Sequence, residues 1–263
     1  MGIFTTKVRR WLAAVLIAVA AAAGVDAAQA AEIKVLGAPP VRAVVTDLAE
    51  MFRQQTGHTV TMAFQPLGIT RQKLTAGEAV DVLILPDVAV DKLAAEGIVA
   101  AGTCANIARM GLGIAVRQGA PSPDISTPEA LKQTLLSAKS IIYTDPALGA
   151  LGAIHFARVV LPRLGIADVV KGKTVLSTST FGGPEAVAKG EVELSVQGIS
   201  EILAAKGVTL AGPLPKDLQQ ISTFSACVAA RSAVPEAARA FIAFLARPSF
   251  RQKFAEAGLD YPE

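Results

Sequence analysis

The sequence has 263 residues, a formal net charge of +3, two cysteines and two histidines. Three of its cations, Lys7, Arg9 and Arg10, lie at the N-terminus, so the rest of the chain has no basic stripe and we expect no nucleic-acid partner. With few histidines and widely spaced cysteines, we also expect no metal and no cofactor. The length is enough for one large domain or two small ones.

The first 30 residues have the pattern of a secretory signal peptide. The basic start is followed by an apolar run at 11–25 and by an A-x-A cleavage signal at 28–30. A membrane-anchoring helix is the alternative, but this run is short for one. We therefore expect cleavage near Ala30 and a mature protein in the periplasm that has no stable insertion in the membrane.

The next part alternates strands and helices. An apolar strand, 33–36, leads through the turn Gly37-Ala38-Pro39-Pro40 into a helix with apolar residues at i, i+3, i+4 and i+7. This helix starts at Val41 and stops at Gly57. The other predicted elements are strands 58–64 and 80–85 and helices 70–76 and 87–96. The order predicts a doubly wound α/β unit.

A second α/β unit is predicted between two longer apolar runs, 107–116 and 221–230. Its predicted strands are 140–143, 175–176, 193–196 and 208–211. Its predicted helices are one that starts at 126–127, one at 151–164, one that ends at Ala188 and one at 199–205. Two more helices, 235–246 and 248–257, end the chain. The runs predict two long strands that join two lobes as a hinge, with a cleft between the lobes. Lobe 1 is then 31–116 plus 221–263, and lobe 2 is 117–220; the alternative is one continuous α/β domain.

The two cysteines, Cys104 and Cys227, each lie at or near a predicted strand. An exported protein is in a compartment that permits disulfides, so the two residues are candidates for a bridge. Two buried free thiols are the alternative.

Segments along the whole chain after residue 30 resemble periplasmic molybdate-binding proteins and their relatives. The matching segments are IKVLGAPPV, TGHTVTMAF, LTAGEAVDVLILPD, YTDPALGALGAIHFARV, EAVAKGEVELSVQGISEI and FIAFLARPSFRQKFAEAG. The resemblance implies the type II periplasmic binding-protein fold. It also implies a small anion held between the lobes by loops at the C-terminal ends of strands. We expect a monomer.

The sequence departs from the molybdate pattern at three places. The family places a hydroxyl residue before the first long helix, where this chain has Pro39 and Pro40. It places serines after the second strand, where this chain has QPLG at 65–68, and a tyrosine where this chain has Gln197. A buried oxyanion needs a ring of neutral donors, so these departures disfavour molybdate.

Two arginines at predicted helix starts, Arg42 and Arg71, favour a carboxylate ligand because guanidinium groups bind carboxylates in a bidentate geometry. The alternative is that each is a solvated surface residue. Backbone N–H groups at these helix starts and hydroxyls at strand ends complete the predicted site, although the hydroxyls at 177–180 also fit a solvent-facing capping loop. The predicted ligand-binding residues are Pro40, Val41, Arg42, Gly68, Ile69, Thr70, Arg71, Thr144, Ser177, Ser179, Thr180 and Gln197.

The resemblance extends to aconitate isomerases, secreted enzymes of this fold that interconvert trans- and cis-aconitate by an allylic proton shift. Such a reaction needs groups that remove and return a proton. His155 is the candidate base, with Tyr143 or Asp145 as the second acid–base group; a structural contact between helix and sheet is the alternative for His155. We therefore predict a secreted protein that binds a small carboxylate, a tricarboxylate first of all, and leave open whether it is an enzyme; if it is one, we expect a metal-independent isomerase of the aconitate isomerase type. The alternative is a non-catalytic binding subunit that delivers an organic or inorganic anion to an ABC permease.

Overall fold

The computed structural model describes residues 30–179 and 181–262. The predicted signal peptide falls almost entirely on residues 1–29, which lie outside this part of the chain. Within the described ranges, the strands form two five-stranded sheets, and helices pack against both sheets. None of the helices in these ranges is long and apolar enough to cross a membrane.

The elements are numbered here in chain order. The strands are β1 Glu32–Gly37, β2 Thr59–Phe64, β3 Val82–Pro86, β4 Ala105–Met110, β5 Leu112–Arg117, β6 Ile141–Thr144, β7 Thr174–Ser177, β8 Leu194–Gly198, β9 Val208–Pro213 and β10 Ser222–Val228. The helices are α1 Arg42–Thr56, α2 Leu67–Thr75, α3 Asp87–Ala95, α4 Pro128–Ser137, α5 Leu151–His155, α6 Leu161–Arg163, α7 Ala167–Lys171, α8 Gly182–Lys189, α9 Ile199–Ala204, α10 Pro235–Leu245 and α11 Arg251–Glu256. Short 3₁₀ turns cover Pro39–Val41, Pro146–Leu148 and Pro248–Phe250, and a π-helical stretch covers Phe156–Val160.

The first sheet has the strand order β2-β1-β3-β10-β4. Strand β1 is parallel to β2 and β3, whereas β10 is antiparallel to both of its neighbours. Helices α1 and α10 share one core on this sheet, where the Phe52 ring lies 5.1 Å from Phe241 and 5.4 Å from Phe244 between centroids. Large buried aromatic surfaces of this kind contribute much of the stability of a lobe.

Asp81, just before β3, ties this sheet to the chain beyond β10. The carboxylate accepts hydrogen bonds from Lys34 N at 2.9 Å, Ser232 Oγ at 2.7 Å and Ala233 N at 3.0 Å. A carboxylate that is only 5% exposed needs such partners to offset its desolvation. Asp81 is therefore a structural residue.

The second sheet has the order β7-β6-β8-β5-β9. Strand β6 is parallel to β7 and β8, and β5 is antiparallel to β8 and β9. The predicted single helix 151–164 is instead α5, a π-helical stretch and α6 in direct succession. Pro162 has no N–H to donate, and a π-bulge before it accommodates the missing helical hydrogen bond.

The second apolar run, 221–230, contains the strand β10, as predicted, whereas the first, 107–116, is not one long strand. Residues 105–117 change sheet at Gly111, which separates β4 from β5, and the return passes through 214–221 before β10 begins. At this crossing Gln219 accepts a hydrogen bond from Leu112 N at 2.7 Å and donates one to Leu112 O at 2.8 Å. A Cβ on Gly111 would lie 2.9 Å from Gln219 Nε2, so the close approach favours glycine. The lobe boundaries predicted from the sequence stay a prediction.

Cys104 and Cys227 form a disulfide. The bond joins the start of β4 to β10, which are neighbours in the first sheet. It closes a loop with a sequence separation of 123 residues, which includes the whole second sheet. A bridge across so long a loop removes much conformational entropy from the unfolded chain.

We predict that replacing both cysteines, as Cys104→Ala with Cys227→Ala, lowers the free energy of unfolding by about 4 kcal/mol, because the long loop is released. Urea titrations of both proteins, with and without reductant, measure this. Reductant should lower the midpoint of the wild type and leave that of the double variant unchanged. Equal midpoints for the two unreduced proteins would contradict the prediction.

Candidate functional site

A cavity of about 620 Å³, open to solvent, lies where the two sheets face each other. We call it the central cavity. One wall comes from segments that follow strands of the first sheet, residues 38–40 and 66–67, together with Ser222 of β10. The other wall comes from Thr144, residues 149–153, residues 196–198 and Glu201. Because the lining segments follow β1, β2, β6 and β8, the cavity lies at the C-terminal ends of parallel strands.

Helix starts surround this cavity. Helix α2 begins directly after Pro66, and α5 begins at Leu151. The 3₁₀ turn Pro39–Val41, which leads into α1, contributes no free N–H group, because the two prolines have none and the N–H groups of Val41 and Arg42 bond to Ala38 O and Pro39 O. The first N–H groups of a helix have no partner within the helix and carry partial positive charge, so the region in front of them attracts anions. The backbone alone therefore makes the central cavity suitable for a negatively charged ligand.

The walls of the central cavity differ in polarity. Residues 38–40 and 66–67 are alanine, proline and leucine, with no side-chain donor. On the opposite wall Gln197 Nε2 donates to Thr144 Oγ1 at 3.2 Å, and both side chains are buried. Pro40, Thr144 and Gln197 are predicted site residues that line the cavity, whereas Ser222 is a hydroxyl that sequence reasoning missed.

Glu201 is a further lining residue that sequence reasoning missed. Its side chain is 3% exposed, and one carboxyl oxygen, Oε2, accepts a hydrogen bond from Gly198 N at 3.2 Å. The other, Oε1, is buried and has no hydrogen-bond partner among the described residues. A glutamate three residues after a helix N-cap is typical of a capping box, and this pattern is visible in the sequence. The pattern indicates a helix start, but it does not indicate that the glutamate is buried in a cavity wall.

The surroundings of Glu201 favour its neutral form. Burial raises the pKa of the Glu201 carboxyl to about 8, against the opposing effects of the hydrogen bond from Gly198 N and of the neighbouring Gln197 side chain. Desolvation disfavours the charged form of an acid, and here it outweighs both effects. Glu201 is therefore mostly protonated at neutral pH, and a protonated carboxyl can donate as well as accept.

Glu201 also borders a second depression, which we call the outer groove. This groove shares Pro39, Pro40 and Glu201 with the central cavity and is lined by Arg42 and Lys206 as well. The Arg42 guanidinium lies 5.4 Å from the centroid of the Phe181 ring. Arg42 is thus exposed beside the cavity and does not line it.

The other predicted residues of the first lobe lie away from the cavity lining. Helix α2 starts at Leu67, three residues earlier than predicted, because Pro66 is its N-cap. Arg71 is therefore in the second turn, where it is exposed and forms a salt bridge with Glu96 at 2.6 Å. Among the remaining positions, Ile69 is exposed and the Thr70 hydroxyl faces Pro66 O at 3.5 Å. Val41 is buried in the first core, and a Cβ on Gly68 would lie 3.0 Å from Leu148 O.

The three predicted acid–base residues have structural partners. His155 Nε2 lies 2.9 Å from Leu218 O. Asp145 accepts a hydrogen bond from Ala147 N at 2.9 Å and caps a 3₁₀ turn. Tyr143 is 7% exposed and packs edge-on against Phe156; burial first and the Asp145 charge second raise its pKa. None of the three is among the residues that line the central cavity.

The predicted hydroxyl cluster forms a cap for α8. Ser177 Oγ donates to Ser179 O at 2.6 Å, and Ser179 Oγ accepts from Gly182 N at 3.0 Å. A Cβ on Gly182 would lie 2.5 Å from Ser177 Oγ, so the loop is packed tightly against the helix start. Thr180 lies outside the described residues.

Comparison with known proteins identifies the family. Residues 33–260 match the model of the bacterial extracellular solute-binding proteins. This chain belongs to that family. The match includes both sheets and all the segments that surround the central cavity, and the fold is the type II periplasmic binding-protein fold predicted from the sequence.

Two proteins of similar sequence and one similar solved structure illustrate what this solute-binding protein resembles. An aconitate isomerase from Pseudomonas sp. is 32% identical over 232 residues, which are 86% of this chain and 87% of that protein. The molybdate-binding protein ModA of Azotobacter vinelandii is 29% identical over 241 residues, 90% of this chain and 93% of its own. The solved structure of the A. vinelandii periplasmic molybdate-binding protein aligns with a TM-score of 0.72 at 19% identity, over 88% of this chain and all of that one.

We predict that Glu201 makes the stability of this solute-binding protein fall with rising pH. Between about 4.5 and about 8, the folded protein keeps a proton that the unfolded chain has released. The free energy of unfolding therefore decreases through this window, by up to about 1.4 kcal/mol per pH unit, and levels off above it. Glu201→Gln removes this contribution. Urea unfolding at several pH values measures the difference.

The matched control is Glu236→Gln, which changes an exposed glutamate in the first turn of α10. It should follow the wild-type pH dependence. If the curve of Glu201→Gln runs parallel to that of the wild type from pH 5 to 8, the raised pKa is wrong.

Proposed function

We propose that this protein binds a small organic carboxylate in the central cavity, in the periplasm, and that it isomerises a tricarboxylate of the aconitate type. The observation that carries the proposal is the composition of the cavity: helix starts that attract an anion, with only a few polar side chains opposite an apolar wall rich in proline. Sites of this kind suit an organic ligand, because apolar walls contact its carbon skeleton and the polar groups orient its charged ends.

The same composition argues against a tetrahedral oxyanion such as molybdate. A buried oxyanion requires donors on every side. Pro39 and Pro40 have no N–H, and the start of α2 has no side-chain hydroxyl towards the cavity. The side-chain donors in the lining are few: Thr144 and Gln197 on one wall and Ser222 on the other.

The outer groove fits the additional charge of a tricarboxylate. Arg42 and Lys206 line this groove, and the groove adjoins the central cavity along Pro39, Pro40 and Glu201. One carboxylate in front of the helix starts and another towards the groove would each meet positive charge. The aconitate isomerase of Pseudomonas sp., a relative over most of the chain, supports this ligand class and adds the isomerisation.

A second candidate is a non-catalytic subunit that delivers an anion to an ABC permease. The similarity to ModA along 90% of the chain favours it. The two functions share the fold and the anion-binding cavity. They differ in one measurable property, because a transport subunit holds its ligand unchanged whereas an isomerase releases a converted product.

We predict that trans-aconitate and citrate raise the melting temperature of the purified protein and that molybdate does not. A ligand at 100 times its dissociation constant stabilises the folded state by about 2.7 kcal/mol. A thermal-shift assay with each anion at matched ionic strength measures this, with sulfate as the control for general anion effects. Stabilisation by molybdate alone would contradict the proposal.

We also predict that the protein converts trans-aconitate into cis-aconitate without added metal. Proton NMR follows the vinyl and methylene signals of the two isomers over time. The boiled protein is the control for uncatalysed conversion. Binding of trans-aconitate without conversion at high protein concentration would favour the transport subunit instead.

A further inference from the structure

We propose that Glu201 carries the proton between the two allylic carbons of the bound tricarboxylate. The inference rests on the proposed isomerisation and names the group that performs it. Glu201 lies in the wall of the central cavity, its side chain is 3% exposed, and Oε1 has no hydrogen-bond partner among the described residues.

The helix cap explains only one of the two carboxyl oxygens. Oε2 accepts from Gly198 N, which satisfies the N-cap of α9. A glutamine at this position would supply the same acceptor without an ionisable group. The cap therefore gives no reason for a carboxyl, and it leaves the buried Oε1 without a hydrogen-bond partner among the described residues.

The cavity offers no competing acid or base. Among the described residues that line it, Glu201 is the one with an ionisable side chain. The charged groups that line the outer groove together with Glu201 are Arg42 and Asp47 on α1, Glu185 on α8, and Lys206 after α9. The charges of these two cations and two acids offset each other, and burial is the first cause of the raised pKa of Glu201.

The glutamate has properties that suit a proton carrier. An acid with a pKa near the working pH holds a proton readily and releases it readily. Because its pKa is raised, the ionised form of Glu201 is a stronger base than an ordinary carboxylate. When Glu201 accepts a proton from the substrate it becomes neutral, and the apolar wall favours this neutral form.

The proposed step balances with one carboxyl group. Ionised Glu201 removes a proton from the methylene carbon, so a C–H bond breaks, an O–H bond forms, and the electron pair spreads into the conjugated dienolate. The carboxyl then returns the proton to the carbon at the other end of the allylic unit. A new C–H bond forms at this carbon as the O–H bond of Glu201 breaks. The double bond has then moved along the allylic unit, and Glu201 is ionised again. A cycle that starts from neutral Glu201 first loses a proton to solvent through the outer groove.

The experiment compares Glu201→Gln with Glu201→Asp and with the exposed control Glu236→Gln. The amide of Glu201→Gln keeps the shape and the cap but cannot carry a proton. We expect it to lower kcat for trans-aconitate at least 100-fold. Its affinity for the saturated analogue propane-1,2,3-tricarboxylate, measured by calorimetry, should stay within threefold of the wild type. Glu201→Asp should keep part of the activity, and Glu236→Gln should keep all of it.

The pH dependence of the wild type is a second test, which does not require a folded variant. We expect kcat to rise with pH and to level off above about 8, since the ionised carboxylate starts the reaction. Two results would overturn the role of Glu201 if the wild type is active. One is a kcat that does not change between pH 6 and 9, and the other is turnover retained in Glu201→Gln. A loss of turnover in His155→Gln together with retention in Glu201→Gln assigns the proton transfer to His155. Absence of turnover in the wild type refutes the isomerisation itself and this inference with it.

Discussion

The parallel pairing of strands is the constraint on which the rest of the structure depends. Because β1 is parallel to β2 and β3, and β6 is parallel to β7 and β8, the C-terminal ends of each set meet at one edge of its sheet. The chain must turn there and start a helix. The two edges face one another, so helix starts and strand-end residues come together around the central cavity. The topology thus places helix starts beside the cavity before any side chain is considered.

Local sequence patterns were sufficient for most elements of this fold and insufficient where the chain changes sheet. Apolar periodicity locates α1 and α10, and short apolar runs locate β1 and β3, because each pattern reflects the burial of one element. The run around Gly111 is apolar on both sides, so nothing local marks the transfer from β4 to β5. The start of α2 was misplaced because Pro66 serves as an N-cap, a position that serine, threonine and aspartate more often occupy.

The candidate site was predictable where it depends on strand ends and not where it depends on side-chain direction. Thr144 and Gln197 line the cavity because they end parallel strands. Arg71 and His155 lie on helices, where one residue of shift rotates a side chain by about 100°, and both have partners elsewhere. Glu201 has the sequence signature of a cap. Only the packing of two lobes around it makes it a buried acid, and packing between distant segments has no local signal.

A buried acid at this position weakens the fold as the pH rises towards neutrality. As the pH rises, the folded protein must either keep the proton on Glu201 or place a negative charge against an apolar wall. Both oppose folding, whereas a glutamine at this position would cap α9 equally well without this cost. Residues that break the rules for stability tend to occupy sites of chemistry. Asp81 shows the contrast within the same chain, since its buried carboxylate has three donors and needs no ligand to explain it. Glu201 keeps one oxygen without a partner among the described residues and beside a cavity, which is the arrangement expected of a group that meets a substrate.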